Sequence, residues 1–278
     1  MNFVYAVMVM NLGLSTYSFP WNIGIEGSLQ DAPLTYKELI AFTCRNQIKH
    51  LQFGDNLPLH LLKDEEMHDL KMLAAACDIK IQAGTRRLTK VNIEQYIEIA
   101  AFFSSPFLRV VMDDVDYHPD IEEIIAVIKL LLPLLEQKNI CLAIENHDRF
   151  KAKDLAHIIR QTNEKYVGIC LDTANSLGAG EGIYEILPVL LPYTVNLHIK
   201  DFTIKRVDHK MGFTVSGTPA GEGMLDIPWL LQQCSRQQKC KTATLETWMN
   251  REEDMGQTIK KEKRWVQKSI HYLKKYIQ

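Results

Sequence analysis

"VGICLDTANS" spans Val167 to Ser176. Its first five residues carry no polar side chain; Asp172 follows them directly, and Asn175 comes three positions later. A run of this length and composition reads as a strand covered on both faces. A carboxylate at the end of such a run is costly unless a cation or hydrogen-bond donors meet it. The partner has to come from elsewhere in the chain.

The same unit recurs on both sides of this stretch: a short apolar or β-branched run, a polar tip, then a longer amphipathic segment. The runs fall at 12–16, 50–53, 79–83, 108–112, 140–145, 167–172, 195–199 and 243–246. Helical patterns lie near 34–46, 64–77, 92–104, 120–138, 152–163, 183–191, 226–238 and 254–276. Asp64 reads as the N-cap of "KDEEMHDLKMLAAAC", with acidic residues in the first turn. Pro133 reads as a kink in "IEEIIAVIKLLLPLLEQ". Eight such units without a linker predict a single-domain α/β fold, the closed (β/α)8 or TIM barrel, over residues 12–278. An open doubly wound sheet is the alternative, but no run is followed by a G-x-G-x-x-G loop. "GAGEG" at 178–182 lacks the Lys-Ser/Thr of a phosphate loop and reads as a flexible connection.

Composition is that of an ordinary globular protein, with 46% hydrophobic and 24% charged residues over 278 positions. A formal net charge of −2 gives no electrostatic case for nucleic acid. The six cysteines include no C-x-x-C pair, which suggests free thiols and a reducing, cytoplasmic setting. "MNFVYAVMVM" is apolar, but it has no basic start or cleavage site and is too short to span a bilayer. With Met8 and Met10 just ahead of "NLGLSTYSF", residues 1–11 read as an N-terminal extension, poorly ordered or packed on the surface. No other stretch approaches membrane-spanning length, so neither a membrane nor a nucleic acid is an expected partner.

A barrel puts its active site at the C-terminal ends of its strands. Those tips here carry Glu145, followed by Asn146 and His147; then Asp172; then His198 with Lys200 two residues on; then Glu246. Three carboxylates converging on one pocket repel one another, and a divalent cation resolves the conflict. Glu145, Asp172, His198 and Glu246 are therefore the candidate metal ligands. An oxygen-rich set with one imidazole suits Mn, Mg, Co or Zn without choosing among them. Other tip residues suit a small polyhydroxylated or anionic substrate: Asp55 and Asn56 after the second run, Arg86 and Arg87 after the third, His147, Lys200, and His209 in "KDFTIKRVDHKMGF". An arginine there can grip a carboxylate or phosphate with two parallel bonds. Tyr17, Phe19 and Trp21 leave the first run and could wall a sugar pocket or simply pack.

"AIENHDRF", "GICLDTANS", "NLHIKDF", "PAGEGMLDIPWLL" and "TLETW" resemble, in this order, the motifs of the xylose isomerase-like TIM barrel superfamily. The resemblance runs from about residue 12 to the last helix. It implies a metal-dependent sugar, sugar-phosphate or sugar-acid isomerase or epimerase, with the four residues above as ligands and possibilities for homo-oligomer formation. It also implies that Glu145 and Glu246 exchange protons on opposite faces of the substrate, through a metal-stabilised enediolate. Where many relatives place a histidine, this chain has Asn175, which can bind substrate but cannot titrate near neutrality. That departure weighs against the multinuclear site of endonuclease IV. "STYSFPW", "DNLPLH", "ENHDRF" and "HKMGF" also look like the branch that decarboxylates 3-oxo sugar acids such as 3-oxo-isoapionate. A lyase, either that decarboxylase or an inosose-type dehydratase, is thus the alternative to the isomerase. A non-catalytic sugar-binding barrel is the reading from a different class.

Overall fold

The computed structural model describes residues 10–25, 30 and 32–278. Within them the chain forms a closed parallel barrel from β1 (Asn11–Ser15), β2 (His50–Phe53), β3 (Lys80–Arg86), β4 (Phe107–Val111), β5 (Cys141–Glu145), β6 (Val167–Asp172), β7 (Thr194–Ile199) and β10 (Thr242–Leu245). A separate antiparallel hairpin, β8 (Phe202–Arg206) with β9 (Phe213–Gly217), stands between the last two barrel strands. The helices are α1 (Pro20–Ile23), α2 (Tyr36–Arg45), α3 (Asp64–Ala76), α4 (Lys90–Phe102), α5 (Ile121–Lys138), α6 (Ala152–Gln161), α7 (Ile183–Leu190), α8 (Ile227–Ser235) and α9 (Met255–Leu273). Each of α2 to α9 matches a stretch read as helical from its periodicity, and all eight barrel strands lie at the expected runs.

The strands close because each has two kinds of neighbour to satisfy. Outward residues such as Leu142, Ile144, Ile169, Leu171 and Leu197 join Ile124, Ile128, Leu155 and Ile158 of the helices in one apolar layer. Each fully buried Leu or Ile in it contributes about 1.5–3 kcal/mol. Inward residues include a small apolar cluster, Phe107, Ala143, Cys170 and Val195, and polar side chains that bond between neighbouring strands: Asn196 Oδ1 accepts from the hydroxyls of Thr242 and Thr244 at 2.7 and 3.2 Å.

Three details depart from the sequence reading. Residues 1–9 of the proposed extension fall outside the described residues, whereas Met10 is buried in the core and Asn11 opens β1. Asp64 is the first helical residue of α3 rather than its cap; the N–H of Lys63 is accepted by Glu66 at 2.9 Å. The stretch around His209 forms the β8–β9 hairpin, which cross-strand pairing from Phe202–Gly217 to Arg206–Phe213 fixes. The glycine-rich turn after it folds around the Asp201 carboxylate, which accepts from the N–H groups of Gly221, Gly223 and Leu225. A Cβ at Gly223 would stand 2.0 Å from Asp201 Oδ1, so only glycine fits.

Candidate metal centre

Asp172 does not stand alone at the end of β6. Its Oδ1 accepts from the backbone N–H of Ala174 and of Asn175, each at 2.8 Å, which turns the chain sharply and leaves Oδ2 facing inward. Asn146 ties this tip to the next: its Oδ1 accepts from Asp172 N at 2.7 Å and its Nδ2 donates to Asp172 O. Register then aligns the tips, with Asp172 beside His198 across β6 and β7. Glu246 follows β10 directly, its N–H bonded to Ile199 O.

Four side chains consequently face one point. His198 Nδ1 lies 3.3 Å from Glu246 Oε1, 3.5 Å from Glu145 Oε2 and 3.9 Å from Asp172 Oδ2. All four side chains are at most 1% exposed. Asp172 Oδ2, His198 Nδ1 and both Glu246 oxygens are buried without a well-aligned hydrogen bond. Lys200 Nζ stands 3.0 and 2.9 Å from Asp172 Oδ2 and Glu246 Oε2, so His198 Nδ1 and Glu246 Oε1 are the two left with no donor, and their lone pairs suit a cation. The far side of the imidazole supports the same reading: His198 Nε2 is 2.7 Å from Gln52 Oε1 and donates to it, which turns Nδ1 toward the carboxylates as the nitrogen that can serve as a ligand. Residues Asp172, His198 and Glu246 can place ligand atoms within 4.8 Å of one another, as can Glu145, Cys170 and His198. Cys170 Sγ already accepts from Asn196 Nδ2 at 3.5 Å, and burial holds its thiol well above the ordinary range. The donor set fits a divalent cation.

Two cations accompany these carboxylates, Arg109 buried and Lys200 partly so. Arg109, an arginine inside the apolar strand β4, bridges Glu145 Oε2 at 2.5 Å and Asp55 Oδ1 at 3.0 Å. Lys200 Nζ reaches Asp172 Oδ2 at 3.0 Å and Glu246 Oε2 at 2.9 Å. Burial alone would raise the Glu145 carboxyl, but Arg109, then His198 and Lys200, bring it well below the usual carboxylate range. Glu246 moves down for the same balance, with His198 and Lys200 outweighing burial. Burial by itself would lower the Lys200 ammonium; Asp172 and Glu246 overcome it and hold it well above its ordinary value.

The remaining residues expected at the site divide into two groups. Asn175 Nδ2 donates to Glu145 Oε1 at 2.8 Å, and His147 Nε2 lies 3.7 Å from the same oxygen. Both line a cavity of about 500 Å³ over the carboxylates, with Lys200, Val215 and Trp248. Arg86 stands further out, paired with Asp55 at 3.2 Å. Asn56 is occupied elsewhere: Thr16 Oγ1 donates to its Oδ1 at 2.6 Å, and its Nδ2 donates to Thr16 O. His209 is exposed at the hairpin turn, and its Nδ1 accepts from Met211 N. Arg87 turns outward to Asp114 and Asp116. Sequence reasoning overlooked Arg109 and Gln52. A lone Arg in "FLRVV" and a lone Gln in "HLQF" were the available signal, since a polar side chain inside a buried strand needs a partner.

The model of one family, described as xylose isomerase-like TIM barrel, matches residues 37–276. The chain belongs to this family. A 3-oxo-isoapionate decarboxylase from Pectobacterium atrosepticum is 29% identical over 264 residues, covering 95% of each chain. The barrel also resembles D-psicose 3-epimerase from Clostridium cellulolyticum, solved with D-tagatose (TM-score 0.70, 14% identity, 95% of this chain and 97% of that one). It also resembles a xylose isomerase-like TIM barrel protein from Mycobacterium smegmatis in complex with magnesium (TM-score 0.64, 15% identity, 95% and 98%). Family structures thus include metal-bound ones, and this chain carries a buried group of ligand type. Among the described residues, no helix is long and apolar enough to cross a membrane.

Proposed function

We propose that this protein is a metal-dependent lyase that decarboxylates a 3-oxo sugar acid, with Glu145, Asp172, His198 and Glu246 holding the cation. The observation that carries this reading is the pair of cations, Arg109 and Lys200, inside the carboxylate ring. Glu145, Asp172 and Glu246 against Arg109 and Lys200 leave one formal negative charge, the Arg86–Asp55 pair being neutral by itself. A divalent cation would turn that into one positive charge, which a mono-anionic substrate neutralises better than a neutral sugar does.

A bound divalent cation would supply Lewis-acid polarisation of a substrate carbonyl. Arg109 keeps Glu145 ionised and weakly basic, which suits a ligand and ill suits a base that must abstract a C–H proton. Decarboxylation asks for no such base. The bond from the α-carbon to the carboxylate breaks, CO₂ leaves, and the electron pair spreads onto the adjacent carbonyl oxygen. Lys200, anchored by Asp172 and Glu246, presents its ammonium to that developing charge. One proton must then return to carbon, and His147, between Glu145 and the outer cavity, is placed to pass it. Asn175 can orient a hydroxyl without taking part in proton transfer. The relative named a 3-oxo-isoapionate decarboxylase supports this substrate class.

The second reading is an isomerase or epimerase that uses Glu145 and Glu246 as the proton-exchanging pair. Their approach to His198 Nδ1 from two strands, at 3.5 and 3.3 Å, favours it. Incubation of the Mn²⁺-loaded protein with 3-oxo-isoapionate, and separately with D-psicose, separates the two. Release of one CO₂ per substrate without epimerisation of the ketose is the expected result. Epimerisation without CO₂ release, or neither reaction, sinks the lyase.

A further inference from the structure

At the other end of the barrel the first residues of the strands frame a second cavity, of about 820 Å³. His50, Lys80, Phe107 and Thr242 open their strands there. The walls are largely apolar, with Ala74, Ile79, Ile81, Phe103 and Val195 among them. Five lysines stand around it (Lys71, Lys80, Lys165, Lys239 and Lys241), and among the described residues no aspartate or glutamate lines it. In a chain of formal net charge −2 this is a local reversal of sign. Lys71 and Lys239 donate to the carbonyls of Phe102 and Glu164, and Lys165 sits over the Tyr166 ring. Lys80 and Lys241 are exposed, and their ammonium groups have no hydrogen-bond or ion-pair partner among the described residues.

The floor of this cavity is polar and continuous with the carboxylate end. His198 Nε2 donates to Gln52 Oε1 at 2.7 Å, Gln52 Nε2 to Gln82 Oε1 at 3.4 Å, and Gln82 Nε2 to His50 Nδ1 at 3.2 Å. All four members are buried. Every bond in the row donates in one direction, from His198 toward His50. The row ends with His50 Nδ1 as acceptor, which puts the ring proton on Nε2. That N–H has no acceptor among the described residues, and His50 lines the cavity. Lysines at the rim, apolar walls and an N–H on the floor are complementary to an anionic head on an apolar body.

We propose that the N-terminal mouth of the barrel is a second ligand site, separate from the carboxylate ring, for a small organic anion with a phosphate or carboxylate head on an aromatic or acyl body. Calorimetric titration of the full-length protein in EDTA tests it, with phenyl phosphate and benzoate as the two anionic probes and benzyl alcohol as the neutral control. Expected is saturable binding of one molecule per chain for at least one anion, the stronger of the two identifying the head group. Binding should persist in Glu246→Gln and weaken at least about tenfold in Lys80→Glu/Lys241→Glu. Both lysines are exposed, and an unchanged thermal midpoint checks the fold; Lys80→Ala/Lys241→Ala, with a smaller loss, serves as the second variant. No saturable binding of either anion, equal binding of benzyl alcohol, indifference to both lysine variants, or loss in Glu246→Gln overturns the proposal.

Discussion

The two ends of this barrel are built from the same strands and carry opposite charge. At the C-terminal end Glu145, Asp172 and Glu246 are buried; Glu145 contacts the buried Arg109, and Asp172 and Glu246 the partly buried Lys200. At the N-terminal end five lysines are exposed and, among the described residues, no carboxylate lines the cavity between them. Helices antiparallel to the strands explain why both arrangements are tolerated: their N-termini flank the acidic end and their C-termini the basic one. Lys71 on the carbonyl of Phe102, the last residue of α4, is a direct contact of this kind. The difference lies in desolvation. Exposed lysines cost little and can wait for a ligand, whereas the buried carboxylates need partners in the folded chain itself.

The largest effect should come from breaking the acidic end. Arg109→Met would leave Glu145 and Asp55 facing each other without their shared guanidinium. We expect a loss of about 3–5 kcal/mol in unfolding free energy, read from urea denaturation at neutral pH. The deficit should shrink on acidification, because protonating either carboxylate removes an unpaired charge. A loss near zero would mean that Arg109 is incidental and that the two ends differ less than their geometry suggests. Next in size is the link between the ends. Gln52→Leu removes the acceptor that fixes the His198 tautomer, and Mn²⁺ affinity should fall about 10- to 100-fold by calorimetric titration. Gln82→Leu, one bond further away, should cost less; an equal loss would make the row of amides a single unit.

How legible these features were in the sequence follows from the range over which each is determined. The eight strands were legible because each run is apolar and bounded within a few residues, so local pattern suffices. The four candidate ligands were legible because strand tips of a barrel converge whatever the loops do. Arg109 was not, since its partners Glu145 and Asp55 are 36 and 54 positions away and only the pairing of β2 through β5 brings them together. His209 went the other way: hairpin pairing carried it to an exposed turn, although its neighbours in sequence lie near the site. Asn56 had a suitable side chain, but the local need to fasten Thr16 took it.

The smallest effect opposes a buried acid to a buried base outside the carboxylate ring. Glu262 is fully buried and accepts from the N–H groups of Trp21 and Asn22 at 2.8 and 3.0 Å. Burial pushes its carboxyl up from 4.5 to about 7, although those donors pull the other way. Burial, reinforced by Lys80, pushes the His50 imidazole down from 6.5 to about 4. Between pH 4.5 and 7 the folded chain keeps a proton on Glu262 that the unfolded chain has released, so this group makes stability fall as pH rises. Between pH 4 and 6.5 the unfolded chain binds a proton on His50 that the folded chain refuses, so this group makes stability rise with pH. Each slope is at most about 1.4 kcal/mol per pH unit, and over their common window they oppose. Urea denaturation of the wild type should therefore show a nearly level stability from pH 4.5 to 6.5. His50→Asn should expose the decline due to Glu262, and Glu262→Gln the rise due to His50. Two variants that both run parallel to the wild type would mean that neither group is desolvated as its burial implies, and the N-terminal floor would then be wetter than its hydrogen bonds indicate.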